Sequence, residues 1–253
     1  MRGFSVAVCM TLTAFATPAT AAGCEKPIRV GWEAWSPFQI PAEGEPKGID
    51  PDILRAIEKV SGCDIEFHET PWKRNLRALE TGKLDVALAA SITEERDKYA
   101  KWTISYLPYS SILWTGSDDN VNYGSLEDYL DSGNNLGIIR GFSYGETTDA
   151  ILENAAYSDQ IQENKSAKLN LRMIAADRID GTLGNQFTMG YFAKREGLFD
   201  AVRATDVVVQ SEPIYFMFSE KSTSDATIEK FDEAIRTLKA DGTIQKIVDK
   251  YTN

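Results

Sequence analysis

The motif Gly141-Phe142-Ser143-Tyr144-Gly145 matches the G-x-S-x-G pattern around the nucleophile of serine hydrolases. It follows a predicted strand and opens a predicted helix, as that pattern requires. A serine nucleophile needs a base, normally a histidine. The only histidine, His68, precedes Ser143 and belongs to another predicted unit, whereas the hydrolase order is serine, acid, histidine. A hydrolase is therefore disfavoured, and Ser143 is expected either to cap the helix or to help its N-terminus hold an anion.

A second candidate site follows another predicted strand, at residues 91–96. Thr93 can cap a short helix, and Arg96 could then reach the strand ends. A guanidinium there would bind a carboxylate through two parallel hydrogen bonds, with the Ser91 hydroxyl beside it. The alternative is an ordinary solvated arginine.

Aromatic side chains cluster where the first predicted strand ends. One or two of Trp32, Trp35 and Phe38 could be walls of a ligand pocket, although packing under the loop is an equal alternative for each. Trp72 is expected in the core, whereas Arg74 could face the same crevice.

Strand and helix patterns alternate along the chain. Residues 28–32, 65–68 and 84–89 are predicted strands, and the helix between the first two is expected to begin with Asp50 as its N-cap. This order predicts a parallel sheet covered by helices. A similar unit follows the polar stretch 116–124, so the two units would share a crevice at the carboxyl ends of their strands.

Composition excludes several classes of protein. The 253 residues include 38 acidic and 27 basic side chains, giving a net charge of -11, which disfavours binding to nucleic acid. One histidine and three cysteines are too few for a zinc or iron–sulfur site, and we expect no metal and no cofactor.

Residues 1–23 are predicted to be a secretory signal peptide. Arg2 precedes an apolar run too short to span a bilayer, and small residues then lead to a cleavage site near residues 22–23. Export favours a disulfide between the remaining cysteines, Cys24 and Cys63. The alternative, acylation of Cys24, is disfavoured because Ala21 stands where a lipoprotein signal prefers leucine.

An ordered set of short motifs resembles the extracellular solute-binding proteins of family 3. The matching segments are Ile28–Phe38, Gly48-Ile49-Asp50, Gly82-Lys83-Leu84-Asp85, Ser91–Arg96, Trp102–Tyr106, Leu136–Tyr144, Arg178-Ile179-Asp180 and Asp241-Gly242-Thr243. The resemblance implies an α/β fold of the type II periplasmic-binding-protein class, with two Rossmann-like lobes and a hinge. Lobe 1 would comprise 24–112 and 211–253, and lobe 2 would be the insertion 113–210.

The resemblance also implies roles for individual residues. Arg96 would bind a ligand carboxylate with Ser91 beside it, Ser143 would approach from lobe 2, and Trp35 would stack on the ligand. Trp32 and Asn185 stand where amino-acid binders commonly have carboxylates for the ammonium group, and Glu33 is expected to point away if the strand continues. The ligand classes left open are an amino acid, a derivative, an organic acid, and an aromatic or cationic solute.

The implied function is that of a periplasmic receptor. A small carboxylate-bearing solute would be trapped by hinge closure and presented to an inner-membrane ABC transporter or a sensor, with the receptor acting as a monomer. The alternative is an enzyme on the same scaffold, such as a dehydratase or lyase, which needs an acid or base in the cleft. Glu33 and Asp50 are the candidates for that role, and Asp50 is better explained as a cap, so we expect a receptor and not an enzyme.

Overall fold

The computed structural model describes residues 23–252, so the predicted signal peptide lies almost entirely outside the described residues. The elements in chain order are β1 (Ile28–Trp32), α1 (Ile49–Ser61), β2 (Ile65–Glu69), α2 (Trp72–Glu80), β3 (Val86–Ala90), β4 (Ala100–Trp102), β5 (Leu107–Gly116), α3 (Leu126–Asp131), β6 (Leu136–Ile139), α4 (Glu146–Leu152), β7 (Ile161–Asn164), α5 (Ala167–Ile174), β8 (Gly181–Asn185), α6 (Gln186–Arg195), β9 (Val202–Ser219), α7 (Asp225–Ala240) and α8 (Thr243–Thr252). We call β1–β4 with α1, α2, α7 and α8 lobe 1, and β6–β8 with α3–α6 lobe 2.

Two long strands connect the lobes. The strand order is β2-β1-β3-β9-β5-β8-β6-β7, with β4 also paired to β9. The first part of β9 pairs antiparallel with β5, and its last part pairs with β3 and β4 in lobe 1. The sequence predicts two short strands at 207–209 and 214–218, whereas the structure has one continuous strand, whose first part pairs with β5 and whose last part pairs with β3 and β4.

Each lobe has its own hydrophobic core. In lobe 1, α1 buries Ile53, Leu54 and Ile57 against the sheet and α7, as its apolar spacing predicts. In lobe 2, one cluster surrounds Leu171 and another surrounds Leu183. The alternating α/β architecture predicted from the sequence is confirmed, and none of the described helices is long and apolar enough to cross a membrane.

The predicted disulfide is present. Strands β1 and β2 are parallel neighbours with Ile28 opposite Ile65, so the cysteines that precede them lie together. Cys24 and Cys63 form the bond with their Cα atoms 4.6 Å apart. The sulfur of Cys24 is therefore not available for acylation.

The start of α1 differs from the prediction. Gly48 occupies the N-cap position at a φ of 120°, and a Cβ there would lie 2.4 Å from the carbonyl oxygen of Phe38. Only glycine fits this backbone and this close approach. Asp50 is therefore not the N-cap, and its side chain turns into the core.

Candidate functional site

A cavity of about 280 Å³ lies at the carboxyl ends of β1 and β3. Its lining residues all come from lobe 1 and are Gly31, Trp32, Glu33, Trp35, Gln39, Trp72, Asn75, Leu88, Ala89, Ser91 and Arg96. The strand ends, the loop after β1 and the first turn of α2 converge here, as expected for the crevice of an open α/β sheet.

Arg96 faces this cavity. Its Nη1 donates to the carbonyl oxygen of Ser91 at 2.8 Å, and its guanidinium lies 5.3 Å from the ring centre of Trp72. The tight turn that carries it is held by the Thr93 hydroxyl, which accepts from the Arg96 amide at 3.3 Å. A guanidinium has five N–H donors, so several remain for a ligand.

Three tryptophans, Trp32, Trp35 and Trp72, line the cavity together with Arg96. Trp32 is buried, while Trp35 is 37% exposed and stacks on Phe38 with ring centres 4.6 Å apart. Phe38 is fully buried behind Trp35, with its ring edge-to-face on Phe187, and does not line the cavity. Its place is to support the Trp35 ring.

Glu33 also lines the cavity, contrary to the expectation that it points away. That expectation holds only if the strand continues, and β1 ends at Trp32. One carboxylate oxygen, Oε2, accepts from the amide of Trp72 at 2.8 Å, at the start of α2. A carboxylate is favoured at a helix N-terminus, and its second oxygen is left for another donor.

Gln39 connects the cavity to a buried carboxylate. Its Nε2 donates to Oδ2 of Asp50, and the Tyr106 hydroxyl donates to Oδ1 of Asp50 at 2.7 Å. Asp50 is completely buried. Burial raises the pKa of Asp50 to about 7, against the opposing effect of these two hydrogen bonds.

Ser143 does not join this cavity. It is exposed, and its hydroxyl donates to Oδ2 of Asp149 at 2.5 Å, while Oδ1 of Asp149 accepts from the Tyr144 amide at 2.8 Å. Helix α4 begins only at Glu146, so Ser143 is not its cap. The amide-rich turn before this helix already holds a carboxylate of the chain itself, which opposes the expected binding of an external anion there.

Asn185 and Arg74 also lie outside the cavity lining. Asn185 is the N-cap of α6, where its Oδ1 accepts from the amides of Phe187 and Thr188 at 3.0 and 3.2 Å. Arg74 is exposed on α2. Of the eight predicted ligand-binding residues, the structure brings together Trp32, Trp35, Ser91 and Arg96.

Sequence reasoning missed Trp72, Gln39 and Asn75 as lining residues. Trp72 and Asn75 are three residues apart on α2 and so share one face, which is the signal that could have found them. Gln39 carries no such pattern.

A larger cavity of about 550 Å³ lies between α6 and α8, behind the connecting strands. None of the sequence-predicted site residues lines it. The smaller cavity is therefore the better candidate, because it lies at the carboxyl ends of the strands and holds four of the predicted site residues.

Comparison with known proteins gives a match to one protein family. The profile of the family "Bacterial extracellular solute-binding proteins, family 3" matches residues 28–253. A "Probable histidine-binding protein" of Campylobacter jejuni is 28% identical over 219 residues, covering 86% of this chain and 81% of that protein. The "L-arginine-binding protein" of Pseudomonas aeruginosa is 26% identical and covers 99% and 96%.

Solved structures are similar in fold. A polar amino acid ABC uptake transporter substrate-binding protein from Streptococcus thermophilus superposes with a TM-score of 0.75 at 22% identity, covering 90% of this chain and 86% of that one. The L-cystine solute receptor of Neisseria gonorrhoeae, in its unliganded open conformation, gives 0.73 at 22% identity and covers 90% and 92%.

Proposed function

Because the chain belongs to family 3 of the bacterial extracellular solute-binding proteins, we propose that it captures an amino acid in the lobe 1 cavity. The observation that carries the proposal is a guanidinium and a carboxylate, Arg96 and Glu33, facing one cavity of about 280 Å³ among three tryptophans. An amino acid carries the complementary pair of charges on one carbon atom.

Arg96 would hold the ligand carboxylate. One of its N–H groups is used by Ser91, and the rest of the fork can bind two carboxylate oxygens in parallel. Its position over Trp72 limits the ways in which the guanidinium can turn.

Glu33 would hold the ammonium. The resemblance to amino-acid binders implies that Trp32 and Asn185 stand where those proteins commonly carry acids, and Asn185 is committed to capping α6. Glu33 supplies a carboxylate from the neighbouring position, with one oxygen already fixed by Trp72. A buried ammonium needs such a partner, because an unpaired buried charge is costly.

The ligand side chain would lie against Trp35. Its indole face favours an aromatic or cationic side chain, and proteins named for histidine and arginine binding are among the relatives. Lobe 2 would close over the ligand about β5 and β9, bringing the Ser143–Asp149 pair toward it. Because that pair is anionic, a cationic side chain suits it better than a second carboxylate.

We place this receptor in the periplasm as a monomer that delivers its solute to an ABC transporter, with a membrane sensor as the alternative partner. The disulfide and the extracellular family support export. Of the two acid–base candidates for an enzyme, Asp50 lies behind the cavity wall, and Glu33 is assigned here to the ligand ammonium, with one oxygen held by the Trp72 amide.

The test is a thermal-shift and calorimetry screen of the mature protein against the L-amino acids and small organic acids. A ligand at 100 times its Kd should stabilise the fold by about 2.7 kcal/mol. Arg96→Ala should weaken binding of the best ligand by about 2–5 kcal/mol, because one partner of a buried charge pair is lost.

Arg77→Ala, at an exposed arginine of α2 that does not line the cavity, is the matched control. Unchanged affinity in Arg96→Ala would reject the assigned carboxylate site. Conversion of the ligand to a product would reject the receptor in favour of an enzyme.

A further inference from the structure

We propose that Gln39 recognises the amino group of the ligand through its side-chain oxygen, and that Asp50 is the positioning residue that turns this oxygen toward the cavity. The inference rests on the proposed function and adds a second acceptor beside Glu33.

The backbone of Gln39 is firmly placed. Its amide donates to the Trp35 carbonyl at 2.9 Å, and its carbonyl accepts from the Trp35 amide at 2.8 Å. This pairing ties Gln39 to the same turn that carries Trp35. Gln39 is only 4% exposed, and it lines the cavity.

The orientation of the Gln39 amide follows from its partner. The two ends of an amide are nearly indistinguishable by shape, so the hydrogen-bond network has to assign them. An ionised carboxylate only accepts hydrogen bonds. Asp50 must therefore face the Nε2 of Gln39, as it does, and the Oε1 is the end left for the cavity.

Asp50 is itself held in place from the far side. Tyr106 donates to its other oxygen, and the Tyr106 ring stacks on Phe216 with centres 4.1 Å apart. The Asp50 amide donates to the Phe38 carbonyl at 3.1 Å, which fixes α1 against the same loop. The chain Tyr106–Asp50–Gln39 thus runs from the base of a connecting strand to the wall of the cavity.

The consequence is selectivity for a donor. An ammonium can donate to the Gln39 oxygen, whereas a ligand with hydrogen in place of the amine leaves that buried oxygen unpaired. A hydrogen bond to a charged group corresponds to a preference of about 10- to 100-fold.

The experiment compares each amino acid with its des-amino analogue. The probe pairs are L-arginine with 5-guanidinopentanoate, L-histidine with imidazole-4-propionate, and L-glutamine with glutaramate. The pair whose amino acid binds most tightly is carried through the variants. Gln39→Met keeps the length of the side chain but removes the acceptor, so the preference for the amine should fall by about 10- to 100-fold.

Asp50→Asn tests the positioning role. An asparagine can donate to Gln39 as well as accept from it, so both orientations of the Gln39 amide are satisfied and the preference should fall. In the Gln39→Met background, Asp50→Asn should cause no further loss, since its effect passes through Gln39. Gln245→Met, at an exposed glutamine of α8, is the control.

The pH dependence provides a readout in the unmutated protein. As the buried carboxyl gains a proton below about pH 7, it can donate to the Gln39 oxygen, so the preference should weaken between pH 8 and pH 5. In Asp50→Asn the preference for the amine should not change over this pH range. The titratable groups around Asp50 are Tyr106 at its far oxygen, Glu33 and Arg96 across the cavity, and Asp52 on α1 with its α8 partners Lys250 and Tyr251. All of these are unaltered in that variant.

Three outcomes are distinguishable. A preference that drops in Gln39→Met and in Asp50→Asn supports the inference. Amino-acid binding with an undiminished preference in Gln39→Met overturns the inference and leaves the proposed function standing. Failure of every amino acid to bind the unmutated protein overturns both.

Discussion

The buried carboxyl of Asp50 makes folding stability depend on pH in an unusual direction. Its side chain is fully buried, and burial raises its pKa from 3.8 to about 7. Between these two values the unfolded chain releases a proton that the folded protein keeps. The folded state therefore binds more protons, and the free energy of unfolding falls as pH rises through this range.

The size of the effect follows from the two pKa values. Each pH unit between them changes the contribution of Asp50 to the free energy of unfolding by about 1.4 kcal/mol, and the change is essentially complete once the carboxyl ionises in the folded protein. From pH 5 to pH 8 the contribution of Asp50 should decline by about 3 kcal/mol. Asp50→Asn cannot titrate, so the unmutated protein should be more stable relative to this variant at pH 5 than at pH 8.

Urea denaturation followed by tryptophan fluorescence measures this difference at each pH. The dependence of the free energy of unfolding on urea concentration should have the same slope in both proteins, so that a shift of the urea midpoint reports a change in stability. Asp159→Asn, at an exposed aspartate, controls for the loss of one carboxylate. A difference between the unmutated protein and Asp50→Asn that stays constant from pH 5 to pH 8 would show that folding leaves the titration of this carboxyl unchanged.

Three further changes should alter stability in urea denaturation. Replacing Cys24 and Cys63 together by serine opens a link between residues 39 apart in sequence and should cost about 4 kcal/mol, whereas an unchanged midpoint would contradict the bond. Gly48→Ala should cost about 1–3 kcal/mol, since its Cβ would meet the Phe38 carbonyl, while a neutral effect would mean that this turn can move. Asp85→Asn should cost about 3–5 kcal/mol at pH 7. Burial by itself raises the pKa of Asp85, but hydrogen bonds from two cationic side chains and a hydroxyl hold this pKa well below its usual range. The destabilisation caused by Asp85→Asn should therefore shrink as pH falls. A destabilisation that grows toward acid pH would refute the assignment.

Several features of the site follow from local sequence. Arg96 and Ser91 come directly after a buried strand, and Trp32 and Trp35 come where another strand ends. Parallel neighbouring strands bring their carboxyl ends to one edge, so these four residues meet at the same cavity. The disulfide is predictable for the same reason at the opposite edge.

Other expectations about side-chain direction went wrong where a partner or the end of an element lies outside the motif from which they were inferred. Asp50 has the type and position of a helix cap, but Tyr106 and Gln39 draw it inward. Ser143 was expected as a possible cap of the following helix, but that helix begins at Glu146, and the Ser143 hydroxyl donates to Asp149. Strand alternation predicts that Glu33 points away from the cavity, but β1 ends at Trp32, so alternation does not apply to Glu33.

The sequence alone determined the alternating α/β class, the family resemblance, the disulfide and the strand-end position of Arg96, because periodicity and short motifs act over neighbouring residues. The tertiary structure alone decided which polar groups are paired inside the fold. Hydrogen bonds such as those from Gln39 and Tyr106 to Asp50 depend on side-chain direction across separate elements, and the pattern of a single segment carries no record of that direction.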